Sequence, residues 1–291
     1  MIGSNEADSP FTDPAAMRAA SVLSAIGYSV AEVPRANTPT CDLKADFDGE
    51  SLLVEVKTFG LPKDDLRRVV SGELFQIERQ TARSRNVSKT LSRAAHQINA
   101  TSFLENDALE VACVGFDRPG DKARSLECFC TLYGVRWFRI LRGPLRTSVN
   151  IIPVFFADRS WFRAHPEVCA LVEEGPSGLS LRVNPAAHDR AELEASRLYR
   201  VLSKLGGVFD LPTLRDRLQI YVADDTSVQP TAAEVTKSLL ERYSITVERF
   251  EVNASSTAWP GNEMGSYSNV PGWDIRVSYL NWLEWLTAHG D

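Results

Sequence analysis

Two short segments near the start of the chain carry the clearest hydrophobic pattern. In residues 41–47 apolar and polar positions alternate strictly, which is typical of a strand with one buried face. Residues 51–58 are apolar at most positions, and the pair Asp48-Gly49 separates the two segments. Aspartate followed by glycine favours the tight turn of a hairpin. The pattern therefore predicts two antiparallel strands joined at this turn.

Apolar residues at helical spacing, and short apolar runs, predict further elements on both sides of the hairpin. The predicted elements are a helix over 14–26, strands over 28–33, 41–47 and 51–58, an amphipathic helix over 86–99 and a strand over 109–116. The order is thus helix, three strands, helix and strand. This order predicts an α/β protein of the α+β kind, built on a mixed sheet.

The remaining segments are less regular. Within residues 59–85 we predict two short helices, one around Leu66–Val70 and one around Leu74–Ile77. Further along we predict strands over 126–133 and 149–156, helices over 190–205, 231–243 and 279–288, and a segment that is mostly loop over 258–273. The pair Gly143-Pro144 marks the predicted boundary between a domain of residues 1–144 and a C-terminal α+β region of residues 145–291.

Composition places the chain among soluble globular proteins, with 44% hydrophobic and 24% charged residues. No apolar run approaches the roughly 20 residues that a membrane span needs, so no membrane partner is expected. The first residues are polar and acidic rather than signal-like, and the five cysteines are odd in number and lack a CxxC pair. We therefore expect reduced, buried thiols and a cytoplasmic location.

The net charge of -6 hides an uneven distribution. Residues 1–150 hold 19 basic and 19 acidic side chains, so the negative excess lies in the second half. Residues 79–99 contain five basic residues and no acid. A local positive patch on a neutral domain is what phosphate recognition requires, although a solvated helix face balanced by distant acids gives the same pattern.

Three charged residues interrupt the apolar hairpin. Glu55 and Lys57 lie on the same face of their strand, about 7 Å apart from the rise per residue. If Asp48-Gly49 forms a two-residue turn, Phe47 pairs with Glu50, and counting outward brings Asp42 opposite Glu55. Two carboxylates and an ammonium group are therefore predicted to meet at one place.

Adjacent carboxylates repel each other, and a cation between them relieves the repulsion. Oxygen ligands of this kind suit Mg²⁺ or Mn²⁺, held by Asp42, Glu55 and the carbonyl of Val56 together with water. Such an ion activates water for attack on a phosphodiester, and Lys57 can position that water or stabilise the developing charge. The alternative is an edge hairpin whose charges face solvent, with an ion pair that contributes ~0–1 kcal/mol.

An aspartate followed on the next strand by Glu-x-Lys, within this order of elements, resembles the PD-(D/E)XK nuclease superfamily. The resemblance implies a restriction-endonuclease-like αβββαβ core, with Asp42 and Glu55 as metal ligands and Lys57 as the catalytic lysine. It also implies that the helix after the motif strand lies along the substrate backbone. The residues of that region that we expect to contact nucleic acid are Arg85, Lys89, Arg93 and Gln97.

The predicted function is that of a Mg²⁺-dependent (or Mn²⁺-dependent) phosphodiesterase that cleaves nucleic acid, with DNA as the expected substrate. The resemblance associates such proteins with defence or DNA processing. Residues 145–291 are assigned to target selection, assembly or regulation, which leaves open a homodimer or a protein partner. The first alternative is a catalytically inactive nuclease-fold module that binds nucleic acid or a protein, and it is favoured by the absence of an acid between Pro14 and Gly27. The second alternative is an adaptor or inhibitor whose acidic second half binds a basic partner. No serine, cysteine and histidine pattern in the sequence predicts a nucleophile.

Overall fold

The computed structural model describes residues 13–34, 40–60, 64, 67–68, 71, 75–80, 82–102, 108–116, 122–143, 151–175, 178–217, 220–223, 229–251, 253–258 and 264–268. The helices in these ranges are α1 (Pro14–Ile26), α2 (Arg85–Ser102), α3 (Lys122–Tyr133), α4 (Trp161–Ala164), α5 (Arg190–Ala195), α6 (Arg197–Lys204), α7 (Leu211–Arg217) and α8 (Ala232–Tyr243). The strands are β1 (Ser29–Glu32), β2 (Leu43–Phe47), β3 (Glu50–Phe59), β4 (Phe75–Gln80), β5 (Leu109–Phe116), β6 (Arg136–Arg142), β7 (Ile151–Phe155), β8 (Ala170–Gly175), β9 (Gly178–Val183), β10 (Val208–Phe209), β11 (Tyr221–Val222), β12 (Thr246–Phe250), β13 (Asn253–Ala258) and β14 (Met264–Ser268).

In the described part of the chain the largest sheet has seven strands in the order β1-β2-β3-β5-β8-β9-β10. β1, β2 and β3 are antiparallel neighbours, whereas β3, β5 and β8 run parallel. The fold is therefore α+β with a mixed sheet, as the sequence predicted. Helix α1, the first three strands, helix α2 and strand β5 follow the predicted order, and β4 is inserted between β3 and α2.

Alternation along β3 divides the core between the two faces of the large sheet. Leu52, Val54 and Val56 pack with α1 and α6, while Leu53 packs with α2 and α3 on the opposite face. Helix α1 ends at Gly27, whose φ of 108° lies in the left-handed region that glycine tolerates. Because Glu55 and Lys57 follow Leu53 at intervals of two, both belong to the α2 face.

A second sheet, β11-β7-β6-β12, covers the outer side of α3. Helix α3 is consequently enclosed between two sheets, and every residue from Cys128 to Tyr133 is buried. The prediction of a strand over 126–133 is wrong for this reason: residues 128–133 are buried on every side of the helix, so no exposed face alternates with a buried one at helical spacing. The third sheet, in the order β14-β13-β4, pairs residues 75–80 with residues 253–258.

That third sheet also corrects one other prediction. The segment around Leu74–Ile77, predicted as a short helix, contributes Phe75 and Ile77 to β4, whose partner strand lies far away in sequence. The segment 258–273, predicted to be mostly loop, contains β14 in its described part. Ser196 divides the predicted helix 190–205 into α5 and α6 because it caps the second of them through the N–H of Tyr199. The predicted helix 279–288 lies outside the described residues.

Strands from both sides of position 144 join the large sheet, since β8 pairs with β5. The division of the chain into residues 1–144 and 145–291 stays a prediction. Within the described residues, no helix combines the length and the apolar character that crossing a bilayer requires. All five cysteines are buried and free, as predicted for core thiols.

Glu110 is an unusual member of this core. It lies on β5, is 8% exposed, and its Oε2 atom has no hydrogen-bond partner among the described residues. Burial raises the pKa of Glu110 to about 7, and a hydrogen bond from Ser102 only partly opposes this. The folded protein therefore holds a proton on Glu110 that the unfolded chain releases at lower pH.

We expect the substitution Glu110→Gln to change how stability depends on pH. The free energy of unfolding of the wild type falls as pH rises from about 4.3, where the unfolded carboxyl ionises, to about 7. It stays at the lower value above that pH. The variant lacks this loss. Relative to the wild type it should gain about 1–3 kcal/mol between about pH 5 and about pH 8, measured by urea unfolding.

Glu32, exposed on β1, provides the matched control. The Glu32→Gln variant should follow the wild type at both pH values. An unchanged pH dependence in the Glu110→Gln variant would show that Glu110 is not the buried proton-binding group.

Candidate functional site

The turn between β2 and β3 sets the register of the hairpin. Asp48 and Gly49 have φ values of 47° and 83°, the positive values that a tight hairpin turn of the primed kind needs at both central positions. Phe47 pairs with Glu50, as predicted, and the ladder continues to Leu43 opposite Val54. Asp42, one residue further, therefore reaches the part of β3 that contains residues 55–57.

The carboxylate of Asp42 is fixed against the backbone of β3. Its Oδ2 atom accepts a hydrogen bond from the N–H of Val56 at 2.9 Å. In a strand the N–H and C=O of one residue point to the same neighbour, so the carbonyl of Val56 is directed to the side where Asp42 lies. Because β2 begins only at Leu43, that side of Val56 lies beyond the described ladder between the two strands.

Glu55 lies beside Asp42 and is completely buried, with 0% exposure. Its Oε1 atom accepts a hydrogen bond from Nζ of Lys57, and its Oε2 atom has no partner among the described residues. Burial raises the pKa of Glu55 to about 7; the hydrogen bond from Lys57 opposes the rise, and the neighbouring charge of Asp42 adds to it. The two carboxylates and the ammonium group thus meet on one face of the sheet.

Helix α2 holds this group of side chains in place. Nζ of Lys57 donates a hydrogen bond to Oε1 of Gln97 at 3.0 Å, and Nε2 of Gln97 donates to the carbonyl of Thr40 at 3.3 Å. One turn later, the hydroxyl of Thr101 accepts a hydrogen bond from the N–H of Cys41 at 2.8 Å. The helix therefore fixes both Lys57 and the segment that leads into Asp42.

Gln97 was predicted from the sequence as a nucleic-acid contact. In the structure its side-chain amide accepts a hydrogen bond from Lys57 and donates one to the carbonyl of Thr40. The sequence analysis did not identify the bond of Thr101 to Cys41. The signal available for it was the spacing of four residues between Gln97 and Thr101, which places two polar side chains on one helix face next to buried Ile98.

The other predicted contacts of α2 lie on its solvent side. Arg85, Lys89 and Arg93 are exposed, and they form no ion pair or side-chain hydrogen bond with any residue that the structure describes. The helix itself contains no acidic residue. At 1.5 Å rise per residue, these cations are spaced about 6 Å apart along the axis. The helix thus presents a row of positive charge that starts one turn from Gln97.

The arginines of β6 behave differently. Arg139 pairs with Glu248 at 3.0 Å and lies over the ring of Phe250, and Arg136 pairs with Asp158 at 2.6 Å. Trp137 is buried in the hydrophobic core. This strand therefore contributes to folding through its apolar residues, and two of its cations, Arg136 and Arg139, are neutralised locally.

The described residues contain no group of three or more histidine, cysteine, aspartate or glutamate side chains arranged to hold a metal. Magnesium is commonly held by only one or two carboxylates, with water and substrate phosphate completing its shell. Asp42 and Glu55 supply two carboxylates, and the buried Oε2 atom of Glu55 has no other partner in the described residues. The donor set therefore fits a divalent cation with oxygen ligands.

Comparison of the chain with models of protein families, with curated proteins and with solved structures finds no match in any of the three.

A cation held between Asp42 and Glu55 should stabilise the folded protein. Binding at a concentration about ten times the dissociation constant adds about 1.4 kcal/mol to the free energy of unfolding. We expect Mg²⁺ or Mn²⁺ to raise the melting temperature of the wild type and to leave that of the Glu55→Gln variant unchanged. Differential scanning fluorimetry with and without the metal measures both.

Asp46 serves as the control because it is an exposed carboxylate of the same hairpin, bonded to Ser51. The Asp46→Asn variant should keep the full metal-induced shift. A shift that survives in the Glu55→Gln variant would place the metal elsewhere.

Proposed function

We propose that the protein is a metal-dependent nuclease that hydrolyses phosphodiester bonds of nucleic acid, with DNA as its substrate. The observation that carries the proposal is the convergence of Asp42, Glu55 and Lys57 on the α2 face of the hairpin. Burying two carboxylates side by side is unfavourable unless a cation compensates them. An isolated surface ion pair, the alternative considered for these residues, does not fit a Glu55 that is 0% exposed.

Each residue has a defined role in the proposal. Asp42 and Glu55 would hold Mg²⁺ or Mn²⁺, with the Val56 carbonyl as a further oxygen donor. The bound ion would polarise a phosphoryl oxygen and lower the pKa of a bound water. Lys57, whose side chain is 21% exposed, would donate hydrogen bonds to the attacking water or to the phosphate.

Gln97 has a positioning role in this scheme. Its amide receives one hydrogen bond from Lys57 and donates another to Thr40, so the ammonium group is oriented before substrate binds. Since Glu55 is enclosed and Lys57 reaches solvent, the substrate would approach from the side of Lys57. The row Arg85, Lys89 and Arg93 continues from there along α2 and would contact successive phosphates.

The resemblance to the PD-(D/E)XK superfamily remains part of the proposal. It is supported by the order of elements around the hairpin and by the spacing of the three charged residues. The resemblance concerns α1 to β5. The role of residues 145–291 in target selection, assembly or regulation is proposed separately from the resemblance, and a homodimer is proposed because cutting both strands of a duplex usually needs two sites. A cytoplasmic location is proposed from the five free and buried cysteines.

A second candidate is an inactive module that keeps the nuclease fold and binds nucleic acid or a protein. It is favoured by α1, which contains no acidic residue and packs against the face of β3 opposite to Glu55. That helix contributes no further carboxylate to a metal. The two candidates differ in whether the chain cleaves what it binds.

Purified protein should cleave plasmid or single-stranded DNA with Mg²⁺ or Mn²⁺, and EDTA should abolish cleavage. Replacing Glu55 with glutamine or Lys57 with methionine should reduce the rate by about 100-fold or more, because one removes a metal ligand and the other a charge-stabilising donor. Gel assays on DNA and on RNA measure this. The Lys204→Met variant, altered at an exposed position of α6, is the control with the same loss of charge. Binding without cleavage in the wild type would favour the inactive module.

The positive row on α2 should determine affinity for the nucleic-acid backbone. Replacing Lys89 or Arg93 with alanine should weaken binding similarly for all sequences, and each should reduce the slope of log K against log salt by about 1. Fluorescence anisotropy of a labelled oligonucleotide at several salt concentrations, with EDTA present, measures the slope. Lys204→Ala is the control, and an equal slope in all proteins would remove α2 from the interface.

A further inference from the structure

A second group of polar side chains lies where α4 packs on α2, apart from the metal site. The Oγ atom of Ser92 lies 3.1 Å from Nε2 of His165, and Nδ1 of His165 lies 2.9 Å from Oε1 of Glu167. The indole N–H of Trp161 donates a hydrogen bond to the same Oγ atom at 3.2 Å. We refer to Ser92, His165, Glu167 and Trp161 as the Ser92 relay.

The partners in the relay define which tautomer a neutral His165 adopts. An ionised carboxylate can only accept hydrogen bonds, so Nδ1 of His165 carries the proton that is shared with Glu167. In a neutral imidazole Nε2 is then the bare nitrogen, and it can accept only from the hydroxyl of Ser92. The serine proton therefore points at a base that is oriented by a third group. This is the arrangement that activates a serine nucleophile.

The loop that carries His165 is held rigidly. Asn184, which is fully buried, donates from Nδ2 to the carbonyls of His165 at 3.0 Å and Val168 at 2.8 Å. The imidazole ring lies 4.8 Å from the ring of Trp161, measured between centroids. The base thus has a fixed orientation, as a relay needs in order to act without rearrangement.

The relay is also accessible. The side chain of His165 is 22% exposed and that of Glu167 28%, and Ser92 is half-buried rather than enclosed. The hydrogen bond from the indole N–H of Trp161 holds the Oγ atom of Ser92 in place.

We propose that Ser92 is an activated nucleophile that takes up an acyl group from an activated ester. Its Oγ atom forms a bond to the carbonyl carbon while its proton passes to Nε2 of His165. The ester C–O bond breaks, and the alcohol leaves with that proton. Water then hydrolyses the acyl-serine to the free acid and restores the hydroxyl. This activity is separate from the proposed nuclease reaction and does not depend on a metal.

The sequence analysis found no such arrangement because Ser92 and His165 are 73 residues apart. They meet only through the packing of α4 on α2. Ser92 also lies on the amphipathic helix whose pattern was explained by core packing and positive charge, so nothing in its local sequence marks it.

The test uses a fluorophosphonate probe, in which Oγ displaces fluoride from phosphorus and leaves a stable adduct that mass spectrometry can locate. We expect the full chain to be labelled at Ser92 at least about tenfold faster than at other exposed serines. Ser21 is the internal reference, since it is exposed on α1 and its hydroxyl bonds only to a backbone carbonyl, that of Met17, among the described residues. The Ser21→Ala variant should keep the fast labelling.

Two variants connect the reactivity to the relay. His165→Gln should slow labelling at Ser92 to the rate of Ser21, and Glu167→Gln should slow it less, because it removes only the group that orients the base. Circular dichroism and melting temperature establish that each variant is folded, and p-nitrophenyl acetate tests acyl transfer in the wild type. Labelling of wild-type Ser92 no faster than that of Ser21 would overturn the proposal, as would fast labelling that persists in folded His165→Gln.

Discussion

The structure around the candidate site depends on one constraint, the burial of the Glu55 carboxylate next to Asp42. A carboxylate that loses its water must be neutralised by a proton or by a nearby cation. The chain supplies Lys57 to one oxygen of Glu55 and leaves the other oxygen without a hydrogen bond from any described residue. Burial, together with the neighbouring charge of Asp42, raises the pKa of Glu55 to about 7 even with a lysine in contact.

Helix α2 makes this arrangement possible because one side of the helix packs in the core and the other side faces solvent. Its buried side, with Leu91 and Ile98, packs on the large sheet, and Gln97 and Thr101 fix the segments that carry Lys57 and Asp42. The solvent side carries Arg85, Lys89 and Arg93, which have no charged partner among the described residues. A helix that is anchored in the core can hold charged groups at a fixed distance from the carboxylates, which a loop could do less well.

The hairpin could be predicted from sequence because its signals are local. Asp48-Gly49 specifies the turn, the turn specifies the register, and the register brings Asp42 to Glu55 without any information from the rest of the chain. The amphipathic pattern of α2 was equally local. The chemistry that the sequence assigned to Asp42, Glu55 and Lys57 stays a prediction.

The features that sequence reasoning missed depend on distant packing. Helix α3 is buried between two sheets, so the alternation of buried and exposed positions that identifies a half-exposed helix is absent. The spacing of two residues between Cys128 and Cys130 therefore gave the segment the pattern of a strand. Strand β4 forms because residues 253–258 pair with it. The hydrogen bonds from Gln97 to Thr40 and from Ser92 to His165 likewise join segments that lie far apart in the sequence, and no local sequence pattern indicates that they meet.

The most direct test of the metal site is a crystal structure of the protein soaked with Mn²⁺ and measured at a wavelength where manganese scatters anomalously. The account predicts one anomalous peak within about 2.0–2.3 Å of carboxylate oxygens from both Asp42 and Glu55, with Glu55 Oε2 among the ligands. A peak that excludes Glu55, or no peak while Lys57 remains bonded to it, would contradict the account.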